Sequence, residues 1–254
     1  MGEFCNYFNL QHLYLKLMNT FLTAKWQNLI MANFEIDSSY LLPYLPKGVE
    51  LDYFNGKAYI SLVGFIFKDT RLFKIPIPFF GTFEEVNLRF YVIRKVGSEL
   101  KRGVVFINET VPNKMVAWVA NKLYKEHYTA IPTKHSWEIG DAAKVIEYQW
   151  KVNNNWNKLK VNASLTKEKM KQGSLEEFIF EHYYGYTKVN ETKSIEYKIK
   201  HPSWEINTVK DYNIQCDFKD FYGNDFEILN STKPHSVMLA EGSSISVDWK
   251  RNSF

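Results

Sequence analysis

The chain has 254 residues, of which 45% are hydrophobic and 17% aromatic, and a formal net charge of +4. That length supports one core or one large domain of two packed halves, and the aromatic content favours strands and buried clefts over a helical bundle. Its basic residues are scattered lysines with no run of five or more, which excludes an electrostatic argument for nucleic acid. Cys5 and Cys216 are the only cysteines and lack metal-like spacing. A reduced compartment, with the cytoplasm as default, is therefore expected. No stretch approaches the about 20 apolar residues needed to span a bilayer, so no membrane partner is expected.

In chain order, residues 10–22 carry Leu10, Leu13, Leu17 and Phe21 at helical spacing. Residues 1–22 thus read as an N-terminal extension or short helix, and 23–254 as a single domain. Trp26–Ile36 reads as a strand, after which Asp37 caps a short helix through Tyr44, ended by Pro46 and Gly48. Asn55-Gly56 suits a type I′ hairpin turn. Lys57–Phe67 is a strand too apolar to be solvated on both faces. Residues 69–81, with Pro76, Pro78 and Gly81, read as a rigid loop. Phe83–Lys95 is a strand that turns at Gly97 into a partner over Gly103–Val111.

Pro112 opens a helix to about Tyr124. Val145–Val152 and Lys158–Leu165 form a hairpin across Asn153–Asn155. Ser174-Leu-Glu-Glu177 is a capping box for a helix to about Tyr183. Ser194–Lys200, Ile214–Phe218 and Val237–Trp249 read as further strands. Strands dominate, helices are few and short, and no repeat interrupts the chain. A β-rich α+β domain on a curved or barrel-like sheet, antiparallel or mixed and enclosing a pocket, fits this order.

Chemistry concentrates on the strand from Phe83. Alternation puts Glu85, Asn87, Arg89 and Tyr91 on one face and Val86, Leu88, Phe90 and Val92 on the other, which must be core. The polar row could clamp a ligand, with Arg89 forking onto a carboxylate. Periodicity alone leaves open a solvated sheet face with weak cross-strand pairs. With 5 Arg against 27 Lys, an arginine here is less readily surface filler. Three histidines are further candidates: His182 at the end of the capped helix, His201 at a strand end beside Trp204, and His127 next to Tyr128. Each is suited to acid–base work, and each has a structural reading as a helix-end cation, a core histidine or a turn residue. No metal-binding, phosphate-loop, nucleophile-elbow or dinucleotide motif occurs, so no metal and no cofactor are expected.

Leu41-Leu-Pro-Tyr-Leu-Pro46, Gly48-Val-Glu-Leu-Asp52, Gly56–Phe65, Phe83–Val92 with Gly103–Ile107, Ser174–Tyr183 and His201–Trp204, taken as an ordered set, resemble the YqjF-like proteins. These are an uncharacterised bacterial family similar in layout to acetoacetate decarboxylase. The resemblance implies a conical, barrel-like sheet around a pocket, with the pocket glutamate at Glu85. It places the Schiff-base lysine near Tyr124–Tyr128, where no Pro-Lys-Lys occurs and Tyr128 stands in its stead. It places the pocket arginine near Ala32 and Asn33. A Schiff base requires an amine of depressed pKa, and Lys125 is the nearest lysine. Three functions follow as rivals. The first is a pocket for a small organic acid or carbonyl compound, lined by Glu85, Asn87, Arg89, Tyr91, His127, Tyr128, His182 and His201. The second is a lyase using Lys125. The third is a non-catalytic structural or regulatory module. A small-molecule ligand is the expected partner, and a homo-oligomer is compatible with the sequence.

Overall fold

The computed structural model describes residues 20–78 and 81–254. The strands are β1 (Thr20–Ile36), β2 (Glu50–Leu51), β3 (Ala58–Leu72), β4 (Ile75–Pro76), β5 (Phe83–Val96), β6 (Glu99–Val111), β7 (Tyr128–Ala130), β8 (Thr133–Ile139), β9 (Ala143–Val152) and β10 (Asn155–Lys169). They continue as β11 (Tyr184–Asn190), β12 (Lys193–Lys200), β13 (Glu205–Gln215), β14 (Ser236–Ala240), β15 (Ser244–Asp248) and β16 (Asn252–Ser253). The helices are α1 (Lys114–Tyr124), α2 (Leu175–Phe180) and α3 (Phe218–Tyr222). Among the described residues no helix is long and apolar enough to cross a membrane.

Strand pairing closes on itself. β1 pairs β3, which pairs β5, then β6, β11, β12 and β15, and β15 returns to β1. All these pairs are antiparallel except β6 with β11. From β1 the sheet also runs outward through β14, β13, β10 and β9 to β8. This second arm covers the outside of the ring. Ile146, Tyr148, Trp150, Leu159 and Val161 from the arm join one apolar cluster with Ile60, Leu62, Val86, Leu88, Phe90 and Val92 from the ring. A second cluster inside the ring holds Trp26, Phe65, Phe67, Phe83 and Phe106 with residues of α1 and α2. β3 and β5 are therefore buried on both faces, which is why Ala58–Phe67 carries no polar alternation.

Several elements differ from the sequence expectation. The helix expected over 10–22 falls mostly outside the described residues, and Thr20–Leu22 are strand. The segment after Asp37 is two short 3₁₀ turns, Ser38–Tyr40 and Leu42–Tyr44, capped by the Asp37 carboxylate on the Ser39 amide at 2.8 Å. The loop over 69–81 is partly a hairpin: β3 runs to Leu72, Phe73 and Lys74 take positive φ, and β4 returns. Pro112 precedes α1 rather than starting it, and Asn113 is the cap, accepting from the amides of Met115 and Val116. α2 stops at Phe180 and the chain is already strand at Tyr184. Ile214–Phe218 is the end of β13 followed by Asp217 capping α3. Val237–Trp249 is two strands split by Gly242, whose φ of 80° ends the first.

The ring closes at one tight point. Gly103 of β6 faces Tyr184 of β11, and a Cβ there would run into the Tyr184 carbonyl oxygen and lie 2.6 Å from the Tyr186 ring. Gly103→Ala is expected to destabilise the fold by roughly 1–3 kcal/mol through overpacking. A urea titration should show a lower midpoint with an unchanged slope.

Candidate functional site

Inside the ring is a cavity of about 220 Å³. β1, β3, β5, β6, β12 and β15 each contribute to its wall, with α1 across the remaining side. Most of the wall is aromatic or aliphatic: Trp26, Phe65, Phe67, Phe83, Phe106 and Val119 are representative. The polar lining is compact and consists of Glu85, Asn87, Arg89, Glu109, Glu126 and the tyrosines Tyr124, Tyr128 and Tyr197, with Thr70.

Three of these come from β5. Glu85, Asn87 and Arg89 are all buried, at 3%, 1% and 9% exposure, and point inward while Val86, Leu88 and Phe90 point into the outer cluster. The Asn87 amide donates to Glu85 Oε1 at 3.0 Å, and the Tyr128 hydroxyl donates to Glu85 Oε2 at 3.0 Å. Arg89 has no carboxylate within ion-pair distance among the described residues. Its one hydrogen bond runs from Nη2 to Met31 Sδ at 3.7 Å, and its Nε has no partner.

Glu109 of β6 stands directly opposite Asn87. It reaches the cavity through a bulge. Leu88 pairs Asn108 but Arg89 pairs Phe106, so Ile107 is the extra residue. The bulge inverts the facing of every later residue. Val104 and Phe106 look inward, and then Glu109 rather than Asn108 does. Glu126 follows the αL cap of α1, where Lys125 has a φ of 60°. The Glu126 carboxylate accepts from Thr187 Oγ1 at 2.6 Å and from the Tyr197 hydroxyl at 2.8 Å. The Asn121 side chain clamps the main chain of Tyr128, accepting from its amide at 2.7 Å and donating to its carbonyl at 2.9 Å.

Three carboxyl groups thus share a desolvated space with one guanidinium. Burial pushes Glu85 up to about 7, against the hydrogen bonds from Asn87 and Tyr128 and the charge of Arg89. Burial likewise takes Glu126 to about 7, opposed by Thr187 and Tyr197 and aided by Glu85. Glu109 lies well above the usual range because burial is reinforced by Glu126 and Glu85. Tyr128 and Tyr197 are also held far up by burial and the neighbouring carboxylates. Among the described residues no group of three His, Cys, Asp or Glu side chains is placed to hold a metal ion.

Of the residues singled out in the sequence, Glu85, Asn87, Arg89 and Tyr128 meet in this cavity. Tyr91 and His182 do not line it. Tyr91 shares the inward face of β5 but bonds Ser61 Oγ at 2.7 Å. His182 packs on Tyr91 and Phe178 with Nε2 3.2 Å from Asp52 Oδ2, and burial lowers its pKa. His201 stacks on Trp204 with ring centroids 4.2 Å apart. His127 is exposed, and its carbonyl accepts from the Asn108 side chain and the Glu109 amide. Lys125 is exposed, because the αL cap turns alternate residues outward: Tyr124 and Glu126 are buried while Lys125 and His127 face water. No lysine is among the described cavity-lining residues. Glu109 and Glu126 also line the cavity and are not among the residues singled out in the sequence. The alternation that brings Tyr128 inward also brings in Glu126, a signal present in the sequence. The bulge that admits Glu109 leaves no such trace.

The fold is similar to that of solved acetoacetate decarboxylase-like proteins. The fold matches an acetoacetate decarboxylase-like enzyme from Sphingomonas wittichii RW1 at a TM-score of 0.63 and 10% identity, covering 94% of each chain. It also matches the enduracididine biosynthesis enzyme MppR complexed with pyruvate, at a TM-score of 0.59 and 10% identity, over 91% of this chain and 90% of that one. The chain belongs to the DUF2071 family, described as an uncharacterized conserved protein, whose model matches residues 23–244. The uncharacterized protein YqjF of Bacillus subtilis is 29% identical over 202 residues, covering 73% of this chain and 78% of YqjF.

The charge balance has a measurable consequence. Each carboxyl that burial raises contributes stability that is fully present below about pH 4.5 and lost as pH rises through its folded value. Raising one from 4.5 to about 7 costs roughly 3 kcal/mol above pH 7. Glu109→Gln keeps the neutral shape and removes the corresponding cost at Glu109, which burial and two carboxylate neighbours raise well above the usual range. Its stability advantage over the wild type is expected to be small near pH 5 and to grow steadily as pH rises to 8, read from urea midpoints at each pH.

Proposed function

We propose that the cavity binds a small organic acid or carbonyl compound with an apolar body, in a cytoplasmic protein that uses this barrel-like scaffold without a Schiff-base lysine. One observation carries the reading. Asn87 Oδ1, Arg89 Nε and Glu109 Oε2 are buried polar atoms without a protein partner among the described residues, and their residues adjoin on the cavity wall. Leaving a buried polar group unpaired costs about 1–3 kcal/mol, more when it is charged. A ligand that brings a carboxylate to Arg89 and an oxygen that accepts the proton of the Glu109 carboxyl offsets two of those costs, and an O–H or N–H donor on it would serve Asn87 Oδ1. Apolar walls suit its remaining atoms, as in ligand pockets generally. An apolar cavity of about 150 Å³ takes benzene. The cavity volume here therefore supports a ligand on the order of ten non-hydrogen atoms. That MppR is complexed with pyruvate supports the same chemical class.

The reading rests on Arg89 and leaves Lys125 outside. Isothermal titration with 4-methyl-2-oxopentanoate is expected to show saturable binding. Arg89→Met should weaken it at least about tenfold, the loss expected for a charge-assisted pair. Lys125→Ala should leave it within about twofold. Equal affinity for Arg89→Met and the wild type would remove the basis of the reading.

A further inference from the structure

Resting on that binding reading, we propose that the cavity catalyses enolisation of a bound 2-oxo acid, with Glu85 taking the proton from the carbon beside the carbonyl and Glu109 protonating the carbonyl oxygen. The order of groups on the wall carries the argument. Along β5 come Arg89, then Asn87 with Glu109 directly across from it, then Glu85. A 2-oxo acid presents carboxylate, carbonyl and acidic C–H in the same order. With its carboxylate on Arg89, its carbonyl accepts from the Glu109 carboxyl, its C–H is directed toward Glu85, and Asn87 Oδ1 is free to accept from the enol hydroxyl that forms.

The two carboxyl groups are also held in different states. Asn87 and Tyr128 both donate to Glu85, which favours its ionised form as a base. Among the described residues no donor reaches Glu109 Oε2, which is buried, so this group keeps its proton and can give it. Burial and the opposing hydrogen bonds leave Glu85 at about 7, whereas burial with two neighbouring carboxylates takes Glu109 well above that. A base poised near neutrality beside an acid held neutral is the arrangement that general acid–base catalysis requires. The other groups facing them are Glu126, which raises Glu109, Arg89, which lowers both, and the neutral hydroxyls of Tyr128 and Tyr197.

The step balances without a co-reactant. The C–H bond breaks and its proton goes to Glu85. Its electron pair forms the C=C bond, and the carbonyl π pair takes the proton of Glu109. Glu85 is then neutral and Glu109 ionised. The Tyr128 hydroxyl hydrogen-bonds Glu85 and lines the cavity beside Glu109, so it can pass the proton back and restore the starting state. Tyr128 is in this scheme a positioning and relay residue. Reversal from the enol with a solvent-derived deuteron on Glu85 labels the carbon.

The experiment follows the C3 protons of 4-methyl-2-oxopentanoate by NMR in D₂O, with binding to the same samples measured by calorimetry. The expected result is exchange faster than in buffer alone, lowered at least about hundredfold by Glu85→Gln, the usual contribution of a positioned base. The wild-type rate should rise from about pH 6 to about pH 8 as Glu85 ionises, and fall at higher pH as Glu109 ionises. Binding without accelerated exchange would overturn the activity and leave the binding reading standing, whereas absence of binding would overturn both. A Glu85→Gln protein that melts and binds as the wild type does and still exchanges at the wild-type rate would overturn the assignment. The pH profile tests it without any substitution: a rate flat between about pH 6 and pH 8 would overturn it as well.

Discussion

Burial of β5 on both faces is the constraint from which the rest of this molecule follows. An outer arm seals the Val86, Leu88 and Phe90 face, and α1, α2 and the ring seal the opposite one. Any polar residue on that strand loses its water. The ring then brings Glu109 and Glu126 to the same place, so three potential negative charges meet one positive charge in an aromatic-walled space. Charges in such surroundings interact several times more strongly than in water. The system lowers its energy by keeping protons on the carboxyl groups, most firmly on Glu109, which has the least hydrogen-bond support. Those protons are the cavity's chemical resource.

A second buried polar cluster lies on the same strands and shows the contrast. Asn33, Ser61 and Arg89 fall in one cross-strand row of β1, β3 and β5. Ser61 donates to Asn33 at 2.6 Å and exchanges a hydrogen bond with Tyr91, and Asn33 donates to Ser236. His182 and Arg102 both approach Asp52, the latter with Nε at 2.8 Å. Most of these groups have partners within the protein, which makes the cluster a fastening between strands. The cavity cluster a few residues away keeps its open valences on Asn87, Arg89 and Glu109. The resemblance to the decarboxylase expects an arginine near Ala32 and Asn33. The guanidinium here comes instead from Arg89, in the same row as Asn33 but two strands over.

What the sequence discloses follows from which physical rule governs each element. The inward row of β5 is legible because period-two alternation is unbroken from Phe83 to Val92. The Asn55-Gly56 turn is legible because both residues take positive φ, at 50° and 77°. β8 is missed because its residues are mostly exposed and carry no buried stripe, although it pairs β9 over seven residues. α2 is overextended because Glu181–Tyr183 could continue a helix, but the main chain of Tyr183 is taken by Arg102 and Ile199 across the ring. That is tertiary pairing overriding local propensity. Glu109 is invisible for a similar reason, since a bulge is a property of a pair of strands and not of either one. Glu126 was within reach, because once Tyr128 is assigned inward, alternation around an αL cap requires Glu126 to follow and Lys125 to turn out.

The same electrostatics bears on an imine-forming amine, which three ionisable carboxyl groups in one cavity would oppose more than the single glutamate that the decarboxylase resemblance implies. A lysine forms a Schiff base when its amine is neutral, which takes apolar burial or a neighbouring cation. In this cavity Glu85, Glu109 and Glu126 would surround such an amine, and each would stabilise its protonated form. The amine would become a buried counter-ion and lose its nucleophilicity. Placing Tyr128 inward and Lys125 outward avoids that outcome. The inward hydroxyl holds Glu85 without adding charge. Once β6 and the α1–β7 connection turn carboxyl groups into the ring, the proposed chemistry is the movement of protons, which needs no amine on the wall.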